Sequence, residues 1–240
     1  MSKGTLVIGQ IYPNEMNIYG DYGNVLTLKR RLEWHGYTAD VVYHHPGKRF
    51  PQEIDILVGG GGQDSGQDVA TPDLHRIGEQ LHILVDDGMP MLMICGMYQL
   101  FGNFFVNADK EKLDGIGIFD IETTAGPTRM IGNVITKSPI FGEIIGYENH
   151  SGITQLSASQ QPFATVTKGA GNNGQDKTEG ALTHNAIGTY MHGSLLPKNP
   201  AIADHLIEIA AMRKFGTFDP EVIDDSLAMR ARAAAKKRPR

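Results

Sequence analysis

The chain has 240 residues and a formal charge of −5, with 40% hydrophobic and 20% charged residues. That length buries a sizeable core in one large domain, and no apolar run reaches the roughly 18–20 residues a membrane helix needs. One cysteine rules out an internal disulfide, and the opening MSKGTLVIGQIYPNEMN turns polar too soon for a signal peptide, so a reducing cytoplasmic setting is expected.

Charge is uneven along the chain. The last eleven residues, RARAAAKKRPR, hold six Lys or Arg and no acid, which leaves 16 basic and 27 acidic groups, a net of −11, on the rest. The acidic body argues against nucleic acid as a partner. The basic tail reads as a solvated, frayed end. Residues 1–215 are expected to form the domain and 216–240 a C-terminal extension.

In chain order, TLVIGQIY (5–12) reads as a buried strand, and NVLTLKRRLEWHG (24–36) as a helix with Val25, Leu28 and Leu32 on one face and Gly36 as its stop. TADVVYH is a second strand, and IDILVGGGGQD an apolar strand running into glycines. TPDLHRIGEQLHILVDDG aligns Leu74, Ile77, Leu81 and Leu84, with Thr71 placed to cap and Pro72 suited to the first turn. PMLMIC is a strand ending at Cys95, and GMYQLFGNFF reads as helical. Strands alternating with helices of this length predict a mostly parallel α/β sheet covered on both faces.

The second half is β-rich. GIGIFDIETT, RMIGNVIT, EIIGYENHSG, FATVTKG and AIGTYMHG are short β-type runs broken by glycine, and NPAIADHLIEIAAMRKFG closes the fold as a helix. KGAGNNGQDKTEG (168–180) reads as a mobile loop.

Ligands of open parallel sheets sit beyond the carboxyl ends of strands. VGGGGQD and MICGMYQ both lie at such ends, so the glycine loop and the thiol are predicted to be neighbours. Cys95 between strand and helix suits a sharp elbow that exposes the side chain, where a helix N-terminus favours thiolate; the competing reading is an inert core cysteine. The loop at 59–62 offers backbone N–H groups to a negative oxygen, or is simply a tight turn. No Gly-Lys-Ser/Thr follows it, so a nucleotide P-loop is not indicated. A thiol needs a base. Of nine histidines, His150 in GYENHSG and His192 in GTYMHGSLL stand out, each after an apolar β-run and before a turn. There is no H-E-x-x-H and no second cysteine, so no metal site is expected.

ICGMYQLFG, GYENHSG and GTYMHGSLLPKNP together resemble the class I glutamine amidotransferases of the cobyric-acid-synthase type. Within that family the match is nearest to the small glutaminase subunits of lipid II isoglutaminyl synthases, which YPNEMNIYGDYGNVLTLKRR, GGGQDSGQ and GPTRMIGN also fit. The resemblance covers about residues 5–215 and implies a flavodoxin-like fold. It implies Cys95 as nucleophile on L-glutamine, His192 as its base, and Gly60, Gly61 and Gly96 as oxyanion-hole residues. Arg129 would bind the substrate carboxylate by two parallel hydrogen bonds, with Gln99 as a further substrate-binding candidate; Gln99 and Tyr98 are expected to pack or line the pocket, and His150 to shape its wall. It further implies no cofactor in this chain, and ammonia passing to a Mur-type ligase partner (MurT) that uses ATP and Mg to amidate D-glutamate of lipid II. That partner's lipid substrate would bring the pair to the inner face of the membrane.

Two departures from the family pattern stand out. Met97 replaces a second glycine after the nucleophile, where a bulkier residue would narrow the pocket. Ser194 stands where many class I members carry a glutamate that orients the histidine, and a hydroxyl cannot stabilise an imidazolium as a carboxylate does. The third member is therefore expected from elsewhere, on the ligase partner. A cysteine hydrolase of another substrate, a non-catalytic regulatory subunit and a corrinoid amidase are the alternatives, the last disfavoured by length and the lack of an ATP loop.

Overall fold

The computed structural model describes residues 2–192 and 194–238. Gly193 of GTYMHGSLL, and Pro239 and Arg240 of the basic tail, lie outside the described residues. The first sheet holds β1 (Thr5–Ile11), β2 (Thr38–His44), β3 (Ile56–Gly59), β4 (Met91–Ile94), β11 (Ala181–Thr183) and β12 (Ala186–Thr189), in the order β11-β12-β4-β3-β1-β2. All neighbours pair in parallel except β11, which is antiparallel to β12 at one edge. β3, β4 and β12 are buried throughout, as expected of strands covered on both faces. Helices α1 (Tyr22–Trp34) and α5 (Pro200–Phe215) pack together, as do α2 (Asp64–Asp86) and α3 (Gly96–Leu100). The parallel strands all carry their carboxyl ends to one rim of the sheet.

Three local differences from the sequence reading have physical reasons. α2 starts seven residues before Thr71, so Thr71 caps nothing. Its hydroxyl bonds back to the Gln67 carbonyl at 2.7 Å, and Pro72 sits inside the helix. The earlier start is set by Gln63, whose carbonyl accepts Gly66 N–H and Gln67 N–H as the glycine loop ends. The stretch after Cys95 is helical only to Leu100, because Phe104–Val106 forms a strand, β5. The first three short β-runs of the second half merge into two long strands, β7 (Ile121–Ser138) and β8 (Gly142–Leu156), paired antiparallel with a register shift between Ala125 and Met130. With β5, β6 (Lys112–Asp114), β9 (Ala164–Lys168) and β10 (Thr178–Glu179) they make the second sheet.

Residues 168–180 are not the mobile loop the composition suggested. Asn172 and Asn173 are buried. Asn172 donates to Thr178 Oγ1 and the Gly180 carbonyl and accepts Gly180 N–H, while Tyr98 Oη donates to it. Asparagine side chains here replace the backbone ladder that a glycine-rich stretch cannot supply.

The basic tail is also tied down. After the short helix α4 (Leu195–Lys198), which leads into α5, the chain ends in α6 (Ser226–Lys236), which buries no residue of its own. Polar bonds hold it instead. Arg232 reaches the Lys198 and Glu143 carbonyls and Asn199 Oδ1, Lys236 pairs with Glu143 at 2.8 Å, and Asn133 donates to the Ala235 and Arg238 carbonyls. Arg31, buried on α1, joins Asp204 of α5 and Asp225 just before α6. Two of the tail's basic side chains, Arg232 and Lys236, thus engage carbonyls and a carboxylate of the body.

Candidate active site

Three chain segments leave the same rim of the first sheet: the glycine loop after β3, Cys95 after β4, and residues 190–192 after β12. Cys95 occupies φ 51°, ψ −103°, a conformation that costs a non-glycine residue of order 1–3 kcal/mol and persists only where the surroundings enforce it. Here the Cys95 N–H donates to the Thr189 carbonyl at 2.8 Å, and its carbonyl accepts Gln99 N–H at 2.9 Å. The elbow turns the thiol toward a cleft of about 420 Å³ between the rim and the second sheet. Gly62, Gln67, Gln99, Arg129 and His150 also line it. The volume suits one small polar substrate.

His192 is buried and held through its N–H on the Tyr147 carbonyl at 2.7 Å. Gly61 fixes how closely it meets the thiol. A methyl group on Gly61 would lie 2.6 Å from His192 Cε1 and 3.2 Å from Cys95 Cβ, so both side chains converge on the space that this glycine leaves empty. Tyr19 packs across the imidazole, ring centroids 4.5 Å apart. Burial opposes charging of His192, but the Cys95 sulfur and the Asp21 carboxylate outweigh it and push the imidazolium up to about 10.

Asp21 was not picked out from the sequence. It is fully buried at the head of α1, and its Oδ2 lies 3.5 Å from His192 Nδ1. At that distance the two form an ion pair rather than a closed hydrogen bond, a common state of catalytic groups before substrate binds. Neither ring nitrogen of His192 has a hydrogen-bond partner among the described residues. The chain thus places a carboxylate of its own beside the histidine, which the sequence reading did not expect. Ser194 gives its hydroxyl to the Gly20 carbonyl at 3.0 Å, and the next residue of that loop, Asp21, presents the carboxylate.

Asp21 also changes the reading of the glycine loop. Its Oδ2 accepts Gly61 N–H at 2.8 Å, so that N–H is not available to an oxyanion. Gly60 is packed against the Met16 carbonyl, 2.2 Å from where a Cβ would stand, and does not line the cleft. Gly60 and Gly61 are therefore spacing residues, and Gly62 is the loop glycine at the cleft. Its nitrogen lies 3.2 Å from the Cβ position of Gly96. The Gly62 and Gly96 N–H groups have no acceptor among the described residues, leaving two adjacent donors beside the thiol. Met97 is fully buried, its Cγ 2.9 Å from the Cβ position of Gly59, and does not line the cleft; the expected narrowing does not occur, because the helix turns that side chain into the core.

Arg129 comes from the irregular stretch of β7 between Ala125 and Met130, where an interrupted ladder re-aims side chains. It donates to Asn149 Oδ1 at 2.6 Å and to Tyr19 Oη at 2.7 Å. Both partners are neutral, so its charge stays available at the cleft. Gln99 lines the cleft but is partly spent, accepting from Gln67 at 2.9 Å and donating to Tyr190 Oη at 3.1 Å. His150 stacks flat on Tyr190, centroids 3.6 Å apart at 5°, and its Nδ1 donates to the Gly152 carbonyl at 3.0 Å. Burial keeps it neutral, down to about 3. His150 is thus a wall residue and not a second base. Asp21, Tyr19 and Asn149 escaped the sequence reading; the signals were the stretches NIYGDYGN and GYENHSG, which resembled the family without pointing to these roles, whereas Gly62 stood in the predicted loop but was not singled out.

The thiol at an elbow, the adjacent imidazole and the paired N–H donors form an arrangement on an α/β sheet with the parts that acyl transfer through a cysteine requires. The chain belongs to the CobB/CobQ-like glutamine amidotransferase domain family, which it matches over residues 7–200. It is 38% identical, over 95% of its length and 93% of the relative's, to the lipid II isoglutaminyl synthase (glutamine-hydrolyzing) subunit GatD of Staphylococcus aureus strain N315. To the GatD subunit of Streptococcus pneumoniae it is 36% identical over 88% and 82% of the two chains. A probable cobyric acid synthase of Methanoculleus marisnigri is 31% identical over 75% of this chain, which spans only 36% of that protein. Among solved structures, a glutamine amidotransferase superposes with a TM-score of 0.60 over 85% of this chain and 98% of that one, at 15% identity. A glutamine amidotransferase from Thermotoga maritima gives 0.54 over 96% and 93%, also at 15%. At such identities the structures speak for the fold, class I amidotransferase-like as expected.

Proposed function

We propose that this chain is the glutamine-hydrolysing subunit of a lipid II isoglutaminyl synthase, working through a Cys95 thioester. The observation that carries the chemistry is the convergence of Cys95 and His192 on Gly61, beside a cleft that Cys95 lines together with an arginine whose partners are neutral. The assembly rests on likeness to the two GatD subunits along nearly the whole chain. Arg129 takes the glutamine α-carboxylate in a two-point contact. His192, as imidazolium, holds the proton of Cys95, and the Cys95 thiolate attacks the carboxamide carbon. The oxygen, now negative, accepts N–H groups of Gly62 and Gly96, each such donor being worth about 3–4 kcal/mol in the transition state. Asp21 stabilises the imidazolium and fixes its orientation. His192 then returns the proton to the departing nitrogen, and ammonia leaves with a thioester behind it. Water, deprotonated by His192, releases glutamate and restores the thiol. Ammonia passes to a Mur-type ligase, MurT, which with ATP and Mg amidates the D-glutamate carboxyl of lipid II. A non-catalytic subunit is the weaker reading, since Met97 lies away from the cleft and Asp21 supplies the acid that Ser194 does not.

The test is co-expression with a Mur-type ligase, followed by glutamine-dependent amidation of a muropeptide acceptor and ammonia release by the subunit. Cys95→Ala and His192→Ala are each expected to abolish ammonia release with the fold intact, and a diazo-ketone glutamine analogue to label Cys95. Glutamine hydrolysis by Cys95→Ala would end the mechanism. Amidation driven only by free ammonia, with normal glutaminase activity, would end the assembly reading alone.

A further inference from the structure

Glu179 is wholly buried, has no part in the cleft, and enters no step above. Its Oε1 accepts the Thr189 hydroxyl at 2.5 Å and Tyr190 N–H at 2.9 Å, while Oε2 has no partner among the described residues. Burying a carboxylate so sparsely bonded is costly, and burial pushes Glu179 up to about 7.

Its place in the chain gives it a use. β12 pairs with β4 up to Thr189, opposite Ile94, and must then leave the sheet to reach His192 three residues on. At that point Tyr190 N–H finds Glu179 instead of a neighbouring strand. Thr189 is bonded three ways. Its hydroxyl donates to Glu179, the same oxygen accepts Met191 N–H at 3.0 Å, and its carbonyl accepts Cys95 N–H at 2.8 Å. A single threonine thus carries both the strained cysteine and the turn to the histidine, and one carboxylate sets its rotamer.

We propose that Glu179 is a positioning residue for the glutaminase reaction, which, through Thr189, fixes the Cys95 elbow and the His192 turn relative to each other. This rests on the Cys95–His192 reading. The two are separable, because Glu179 needs only its acceptor oxygen, whereas Cys95 needs its sulfur.

The experiment compares Glu179→Ala, Glu179→Gln, Thr189→Val and Thr189→Ser in the full chain. It measures kcat and KM for glutamine, and the pH profile of iodoacetamide alkylation, which reports on Cys95 alone because the chain has one cysteine. Glu179→Ala and Thr189→Val are expected to lower kcat by about 10- to 100-fold at unchanged KM and to displace the alkylation profile. Glu179→Gln, whose carbonyl oxygen accepts the same two bonds, and Thr189→Ser, which keeps the hydroxyl, are expected to stay within about threefold of the parent. Should Glu179→Ala fail to fold, the Thr189 pair decides. Unchanged kcat and alkylation in Thr189→Val, or Glu179→Gln as damaged as a folded Glu179→Ala, would overturn the proposal. Glutamine hydrolysis by Cys95→Ala in the same series would instead overturn the reading beneath it.

Discussion

Gly61→Ala tests how closely the thiol and imidazole are packed. Gly61 does not have a positive φ, so alanine brings no backbone strain of that kind, only a methyl group. That methyl would stand 2.6 Å from His192 Cε1, 3.1 Å from Tyr19 Cδ2 and 3.2 Å from Cys95 Cβ. Ordinary carbon contacts are about 3.5–4.0 Å, so the imidazole must retreat by roughly 1 Å, with Tyr19 packed across it. Overpacking of this kind costs about 1–3 kcal/mol in stability, and a displacement of about 1 Å at the base costs on the order of 100-fold in rate. Ammonia release, coupled to glutamate dehydrogenase, gives kcat and KM; circular dichroism and thermal melting check the fold. We expect kcat to fall by about two orders of magnitude, with a smaller change in KM, because Arg129 keeps its bond to Asn149 when Tyr19 shifts. A folded Gly61→Ala protein within about threefold of the parent kcat would refute the idea that His192 reaches Cys95 through the space left by this glycine.

Three further outcomes follow from the geometry. Arg129→Lys keeps a charge but loses the planar fork, so KM for glutamine should rise about tenfold with little change in kcat; a loss confined to kcat would speak against substrate anchoring. His150 is held neutral down to about 3 by burial, whereas the unfolded chain binds a proton near 6.5. The unfolded state therefore gains protons that the native state does not as pH falls from 6.5 toward 3, and native stability declines over that window; urea titrations should show a shallower acid decline for His150→Gln than for the parent. Ending the chain after Asp225 removes α6, which buries no residue and is held by polar bonds at the surface. Such contacts contribute little each, so Tm should fall by no more than about 4 °C.

The alternation of buried strands and amphipathic helices was legible up to Cys95, because local periodicity carries it. Boundaries set by non-local partners were not. α2 begins where Gln63 can accept two N–H groups, and β7 and β8 run through glycines that read as breaks because each strand has a partner along nearly its full length. Residues 168–180 read as mobile from their composition, yet Asn172 and Glu179 are stitched into the interior by bonds to Gly180, Thr189 and Tyr190.

What the sequence singled out by itself was the candidate nucleophile and its candidate base. Cys95 at the end of an apolar run and His192 before a turn stand in short motifs whose chemistry depends on adjacent residues. What only the tertiary structure decided was the company they keep. Asp21 lies 171 positions before His192 and meets it because α1 starts at the same rim where β12 ends. The same carboxylate takes the N–H of Gly61 and leaves Gly62 at the cleft. Which of several adjacent glycines offers its N–H depends on backbone direction and on competing acceptors brought from distant segments, and neither is written in the spacing of the residues.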